Sequence, residues 1–249
     1  MKKRIPKVVI VMPAYNAEMT LEDTFREIPP KYKKHVILVD DFSSDDTSGV
    51  ASKLNIVLIK HKKNMGYGAN QKTCYNAALK LNPDVVAMLH ADYQYSAKYL
   101  RDLIELIEIG KYDFMFGSRI STRRSALDGG MPKLKYYTNR FFTVVQNIIL
   151  GVNFTEHFSG FRAYSADVLK TVPYQKFSND FLFDLHMTLS ALSYGFRIGE
   201  IPIPTRYDEE SSSMSLQKGI KFIFETTLLL ISYILHQKHL VKSKLFSRS

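Results

Sequence analysis

The chain has 249 residues, 45% of them hydrophobic and 23% charged, enough for one α/β core and too apolar for disorder away from the ends. Its single cysteine, Cys74, excludes an internal disulfide and a cysteine-based zinc cluster; with no cleavable leader pattern after Met1-Lys2-Lys3-Arg4, a cytoplasmic location is expected. A net charge of +10 calls for an anionic partner, but zinc-finger spacing, an RNP-type aromatic motif and a sustained basic block are all missing, which argues against nucleic acid and leaves a phosphorylated small molecule or an acidic membrane leaflet.

In chain order, short apolar runs predict strands at Lys7 to Met12, His35 to Val39, Ile56 to Lys60, Val85 to Leu89 and Asp113 to Gly117. Helical periodicity predicts helices between them, at Leu21 to Ile28, Asp46 to Leu54, Ala69 to Leu81 and Lys98 to Ile109, with Thr20 and Asp23 resembling a capping box for the first. Alternation of this kind gives right-handed βαβ units and a doubly wound, mostly parallel α/β sheet with helices on both faces. Beyond Gly117 come a basic, glycine-containing loop (Arg119 to Lys135), a helix near Tyr136 to Leu150, the polar segment Glu156 to Arg162, a helix near Phe181 to Tyr194 and a strand near Arg197 to Ile201. No linker composition intervenes, so residues 1–215 read as one domain followed by a C-terminal piece, 216–249.

In that piece Ile220 to Leu235 is strongly apolar but shorter than the roughly 20 residues a spanning helix needs. A basic tail without acids follows. The pair suits either a peripheral helix in a membrane interface (220–249) or a core or homo-oligomer helix with a solvated tail.

Polar clusters follow the strands at their carboxyl ends: Pro13-Ala14-Tyr15-Asn16, Asp40-Asp41 and His90-Ala91-Asp92. Open α/β sheets bind ligands at that edge. A strand running on through His90, Asp92 and Gln94 would project the three to one side, where they could hold a divalent cation against a diphosphate. Oxygen ligands favour Mg²⁺ or Mn²⁺ and an imidazole shifts the preference toward Mn²⁺; His90 either ligates directly or contacts substrate, leaving Asp92 as the anionic ligand. Neither a P-loop nor a dinucleotide fingerprint is present, and Gly66-Tyr67-Gly68 completes neither, so a bound diphosphate needs another counter-charge, which this cation, supported by Arg or Lys side chains, would supply. Asp40 and Asp41 either accept from a base or ribose, or cap the next helix together with Ser43, Ser44 and Asp45.

Seven ordered segments, PAYN, VDDFSSDDT, NMGYGANQK, HADYQY, GSRI, SGFRAYS and IPTRY, spread over most of the chain, resemble the family 2 inverting glycosyltransferases of GT-A fold, on the branch of dolichyl- and polyprenyl-phosphate sugar transferases. The resemblance implies a UDP- or GDP-linked sugar donor and a polyprenyl phosphate or glycan acceptor. It implies nucleotide contacts from Pro13, Ala14, Tyr15, Asn16, Asp40 and Asp41, with Gly66, Gly68 and Ala91 beside the donor. It places metal and diphosphate on His90, Asp92 and Gln94, where His90 replaces the first acid of the family's Asp-x-Asp signature. Arg119 and Arg206 match phosphate-contacting residues; each is otherwise an exposed charge or a partner of Glu209 or Glu210. The Gly/Ser-Lys pair that usually follows the second Arg is replaced by Asp208 to Ser213. Asp184, more than Asp180, stands where inverting relatives place a general base, though an ionised phosphate acceptor needs none. The rival readings are a catalytically silent nucleotide- or lipid-phosphate-binding protein and, further off, a nucleotidyltransferase, whose Gly-rich, Lys-containing loop is missing.

Overall fold

A computed structural model describes residues 6–205 and 216–247. The described strands are β1 (Val8–Ala14), β2 (Val36–Asp40), β3 (Val57–Lys60), β4 (Val85–Met88), β5 (Phe114–Ser118), β6 (Arg162–Ser165) and β7 (Ile198–Pro202). They form one sheet in the order β3-β2-β1-β4-β6-β5-β7, parallel except for β6, which runs against both neighbours. The helices are α1 (Leu21–Glu27), α2 (Thr47–Lys53), α3 (Tyr67–Leu79), α4 (Leu100–Glu108), α5 (Arg123–Asp128), α6 (Lys133–Leu150), α7 (Ala166–Thr171), α8 (Phe183–Ser193) and α9 (Leu216–Gln237).

The strands carry apolar residues at successive positions because both faces are covered. Val8, Ile10 and Met12 of β1 join Leu21, Leu100, Leu103 and Ile104 of α1 and α4 on one face. The alternate residues Val9 and Val11 join Cys74 and Tyr75 of α3 and Phe183 and Met187 of α8 on the other. The chain moves outward from β1 through β2 to β3, then returns to lay β4 on the other side of β1. That reversal opens a crevice above the carboxyl ends of β1 and β4, the place where such sheets take ligands.

Five details differ from the sequence expectations. Arg162 to Ser165, at the end of the polar segment, is an inner strand, which the polar residues of Arg-Ala-Tyr-Ser disguise. The basic loop after Arg119 contains α5 and the first turn of α6, which starts directly after Pro132. Thr20 makes no capping box: its hydroxyl donates instead to the Ala91 carbonyl at 2.7 Å, tying the start of α1 to the loop after β4. β4 stops at Met88, so His90, Asp92 and Gln94 are not strand neighbours; residues 91–93 turn, with Tyr93 at φ 56°. Finally, α9 has 22 residues, and Gly219–Gln237 within it is long and apolar enough to cross a membrane by length and composition. Its inner side nevertheless packs on the domain: Leu229, Leu230 and Tyr233 meet Leu182, Leu185, Leu189 and Phe246.

Candidate active site

The loops after β1 and β2 are laced together. Asn16, at φ 51°, receives the Ser44 amide on its side-chain oxygen at 2.9 Å and donates its own amide to the Ser43 hydroxyl at 2.9 Å. Ala17 N donates to Thr47 Oγ1 at 2.7 Å. This lacing leaves Tyr15 exposed at the rim while Ala14 is buried at the end of β1.

Asp40 and Asp41 are both buried but serve different neighbours. Asp40 accepts from Ser43 and from the Ser48 hydroxyl, which orders the turn into α2 much as the capping alternative supposed. Asp41 takes His61 Nδ1 at 2.6 Å and the Met65 and Gly66 amides at 2.8 and 2.9 Å, so it latches the Asn64-Met65-Gly66 loop onto the rim. The two glycines beside that loop also have packing work. Gly66 sits at φ 94°, and a Cβ on Gly68 would lie 2.4 Å from the Ser178 carbonyl. Gly68 N donates to Asn179 O at 2.8 Å, so this amide serves the protein and not a phosphate.

Behind the rim lies a buried polar chain that sequence reasoning did not assemble. Asp184, in the first turn of α8, accepts Tyr67 Oη at 2.7 Å and Gln71 Nε2 at 3.3 Å, and Arg162 Nε stands 3.6 Å from it. Tyr67 stacks on His90, ring centroids 5.4 Å apart, with its hydroxyl 3.2 Å from His90 Nε2. Burial, and then the Asp184 charge, hold the Tyr67 phenol far above its ordinary pKa, so it stays a neutral donor. A Cβ on Gly160 would lie 2.4 Å from His90 Nε2 and 2.7 Å from Tyr67 Oη, so only glycine leaves room for this pair. His90 Nε2 is thus occupied within the protein.

Arg162 is fully buried and donates to the carbonyls of Ser159, Asp184 and His157 at 2.7, 2.8 and 3.1 Å. Two imidazoles, His157 beside it and His186 on α8, are also buried. Burial, reinforced by the Arg162 charge, pushes His157 down to about 3, and burial pushes His186 down to about 4. Both folded values lie below the ordinary value near 6.5, so the unfolded chain takes up protons first and stability falls as pH drops from about 6.5 toward those values. Urea unfolding is expected to lose about 2 kcal/mol between pH 7 and pH 5.5, roughly 1 from each ring; constant stability over that interval would show that the rings are not buried neutral.

Arg119 is buried and forks onto Glu156, with Nη2 to Oε2 at 2.5 Å. Burial alone would raise the Glu156 carboxyl, but the Arg119 charge and hydrogen bonds hold it below the usual range. The expected alternative partners of Arg119, Glu209 and Glu210, lie outside the described residues, as does Arg206. Beside Arg119 opens a cavity of about 320 Å³, floored by Ser121, Ser125 and Gly129 and walled by Pro202 to Thr205. Thr205 bridges to Tyr95, whose ring lies 6.1 Å from His90, so this cavity adjoins the rim.

Asp92, four residues past the end of β4, is exposed and uses one oxygen to accept the Gln94 amide at 3.1 Å. Among the described residues no three His, Cys, Asp or Glu side chains gather into a metal site. A single exposed carboxylate fits a divalent ion that arrives with a diphosphate, because Mg²⁺-type ions at nucleotide sites take one or two carboxylates and draw their other ligands from phosphate and water.

Against known proteins, residues 9–172 match the model described as glycosyl transferase family 2, and the chain belongs to that family. It is 24% identical over 247 residues to a UDP-N-acetylglucosamine–dolichyl-phosphate N-acetylglucosaminyltransferase of Methanococcus voltae, covering 92% of this chain and 98% of that one. It is also 24% identical to the polyprenol monophosphomannose synthase of Mycolicibacterium smegmatis, covering 86% and 82%. A solved structure of glucosyl-3-phosphoglycerate synthase from Mycobacterium tuberculosis, in complex with Mn²⁺, UDP and glucosyl-3-phosphoglycerate, superposes with a TM-score of 0.67 at 16% identity, covering 96% of this chain and 82% of that one. The shared fold is GT-A.

Proposed function

We propose that this family 2 glycosyltransferase moves a sugar, with inversion, from a UDP- or GDP-linked donor to a polyprenyl phosphate at the cytoplasmic face of a membrane. The observation that carries the reading is that Asp92 is exposed just beyond the carboxyl end of β4, the strand beside β1, while the Arg119 cavity adjoins this edge through the Tyr95 to Thr205 bridge. Two anionic ligands can therefore meet at one edge. The two relatives named for dolichyl-phosphate and polyprenol transfer support a lipid phosphate as the second.

In this reading Tyr15, Asn16 and the Asp41-latched loop frame the base and ribose. The donor's diphosphate lies over Asp92, with Gln94 and His90 beside it. Mn²⁺ or Mg²⁺, held by Asp92 together with the diphosphate oxygens, would supply charge neutralisation of the leaving group. The phosphate acceptor is already ionised and attacks the anomeric carbon from the opposite face without a general base. Asp184, whose oxygens are engaged by Tyr67 and Gln71 beside Arg162, is then a positioning residue that orients Tyr67 and through it His90, and not a proton acceptor.

The test is a panel of UDP- and GDP-sugars with Mn²⁺ and a short-chain polyprenyl phosphate, read by product mass and anomeric configuration. One donor is expected to yield the glycosyl-phospholipid with inverted configuration, and chelation by EDTA is expected to abolish it. Donor binding without turnover on any member of the panel would leave a nucleotide-binding protein, and pyrophosphate release from a nucleoside triphosphate would make it a nucleotidyltransferase.

A further inference from the structure

Phe42 holds a backbone conformation that its residue type resists. It lies two residues past the end of β2 at φ 65°, in the left-handed region where a Cβ crowds the backbone and where Gly, Asn and Asp are the usual occupants. A bulky side chain stays there only when its surroundings over-determine it. They do so from both sides. Asp41 N donates to Ala14 O at 2.9 Å, and the Asp41 carboxylate takes His61 Nδ1 and the Met65 and Gly66 amides. On the other side, Ser43 N donates to Asp40 Oδ1 at 2.9 Å, and the Ser43 hydroxyl accepts the Asn16 amide at 2.9 Å. Core burial does not offset the strain, because Phe42 is 57% exposed.

The hydrogen bonds that fix Phe42 also place two further exposed apolar side chains. Tyr15, 55% exposed, sits between Ala14 and Asn16, the residues bonded to Asp41 and Ser43 on either side of Phe42. Met65, likewise exposed, carries one of the amides that Asp41 accepts. The loops after β1, β2 and β3 therefore each present one large apolar side chain within a residue of the bonds that lace them together. Single exposed hydrophobes need no explanation, but three on interlocked loops, one of them strained, do. Two aromatic rings and a polarisable thioether suit a flat aromatic ligand, and every nucleobase offers a π-face. Position selects the same occupant. These loops lie at the carboxyl ends of β1 and β2, and β1 is also the neighbour of β4, which leads to Asp92.

We propose that Phe42 is a nucleobase-stacking residue of the donor site, kept in a strained conformation so that its ring stays at the rim with Tyr15. The assignment rests on the nucleotide-donor reading of this crevice. Glycine at position 42 relieves the backbone and removes the ring together, so stability and nucleotide affinity are expected to move in opposite directions. The full chain and Phe42→Gly are titrated calorimetrically with UDP, GDP and inorganic pyrophosphate, each with Mn²⁺, beside urea unfolding. Phe42→Gly is expected to raise the urea midpoint and to weaken the nucleotide that binds by about tenfold, within the range for losing one base–aromatic stack. Pyrophosphate, which has no base, is expected to bind both chains equally. Phe42→Trp is expected to restore nucleotide affinity. The chain has no other tryptophan, so its indole fluorescence should be quenched by the nucleotide and not by pyrophosphate.

Equal nucleotide affinity in wild type and Phe42→Gly would overturn the assignment and leave the donor reading standing. An equal loss for pyrophosphate would overturn it too, since the whole rim would then have been disturbed. A lower urea midpoint would show that the ring supports the fold and that no ligand is needed to explain it. A dimer separated by Phe42→Gly with nucleotide binding unchanged would give the ring to a second copy. A wild type that binds neither UDP nor GDP would remove the donor reading and the assignment together.

Discussion

Replacing Asp92 by Ala is expected to lower kcat/KM for sugar transfer about 10³-fold, the usual cost of removing a group aimed at charge that develops in the transition state. The stability of the variant should stay within about 0.5 kcal/mol of wild type, because Asp92 is exposed and its hydrogen bond goes to the nearby Gln94 amide. The combination of the two readouts is informative. A structural role would lower the urea midpoint along with turnover, and an idle carboxylate would change neither. Steady-state kinetics on the donor found in the panel, beside urea unfolding of the same preparation, checks both.

Arg162→Met is expected to destabilise the domain by about 3–5 kcal/mol, the range for breaking a buried ion pair by removing one partner. The guanidinium serves the carbonyls of Ser159, His157 and Asp184 together, and its loss leaves the Asp184 carboxylate facing Tyr67 and Gln71 without that countercharge. Against a typical total stability of about 5–15 kcal/mol, that is a large share. Removing both charges is expected to cost less than the sum of the single changes, so Arg162→Met combined with Asp184→Asn measures their coupling by a double-mutant cycle. Strict additivity in urea unfolding would show that the two do not interact.

The parallel half of the fold was legible because its strands are covered on both faces and therefore read as unbroken apolar runs: Val8 to Met12 and Val36 to Val39 can be little else. The antiparallel strand was not, because Arg162 reads as a surface residue until the carbonyls around it are known. The length of α9 was obscured by Lys218 and Lys221, which interrupt the apolar count without ending the helix. At the site, local sequence located the rim residues but not their partners. Asp41 with His61, Tyr67 with Asp184 and Arg119 with Glu156 are pairs separated by 20, 117 and 37 positions, and only the tertiary fold brings them together. The expected trio of His90, Asp92 and Gln94 rested on strand periodicity, which the end of β4 at Met88 and the turn at 91–93 break. The signal that could have exposed the Tyr67 connection is the glycine pair around it, since Gly66 at positive φ and Gly68 against Ser178 announce a close approach between α3 and the loop before α8.

The most direct trial of the central claim is a crystal structure with the nucleoside diphosphate of the accepted donor and Mn²⁺, phased to show the anomalous signal of manganese. The account predicts a manganese peak joined to an Asp92 oxygen and to the diphosphate, in the crevice above β1 and β4. A diphosphate seated away from Asp92, in the Arg119 cavity or elsewhere, would contradict it.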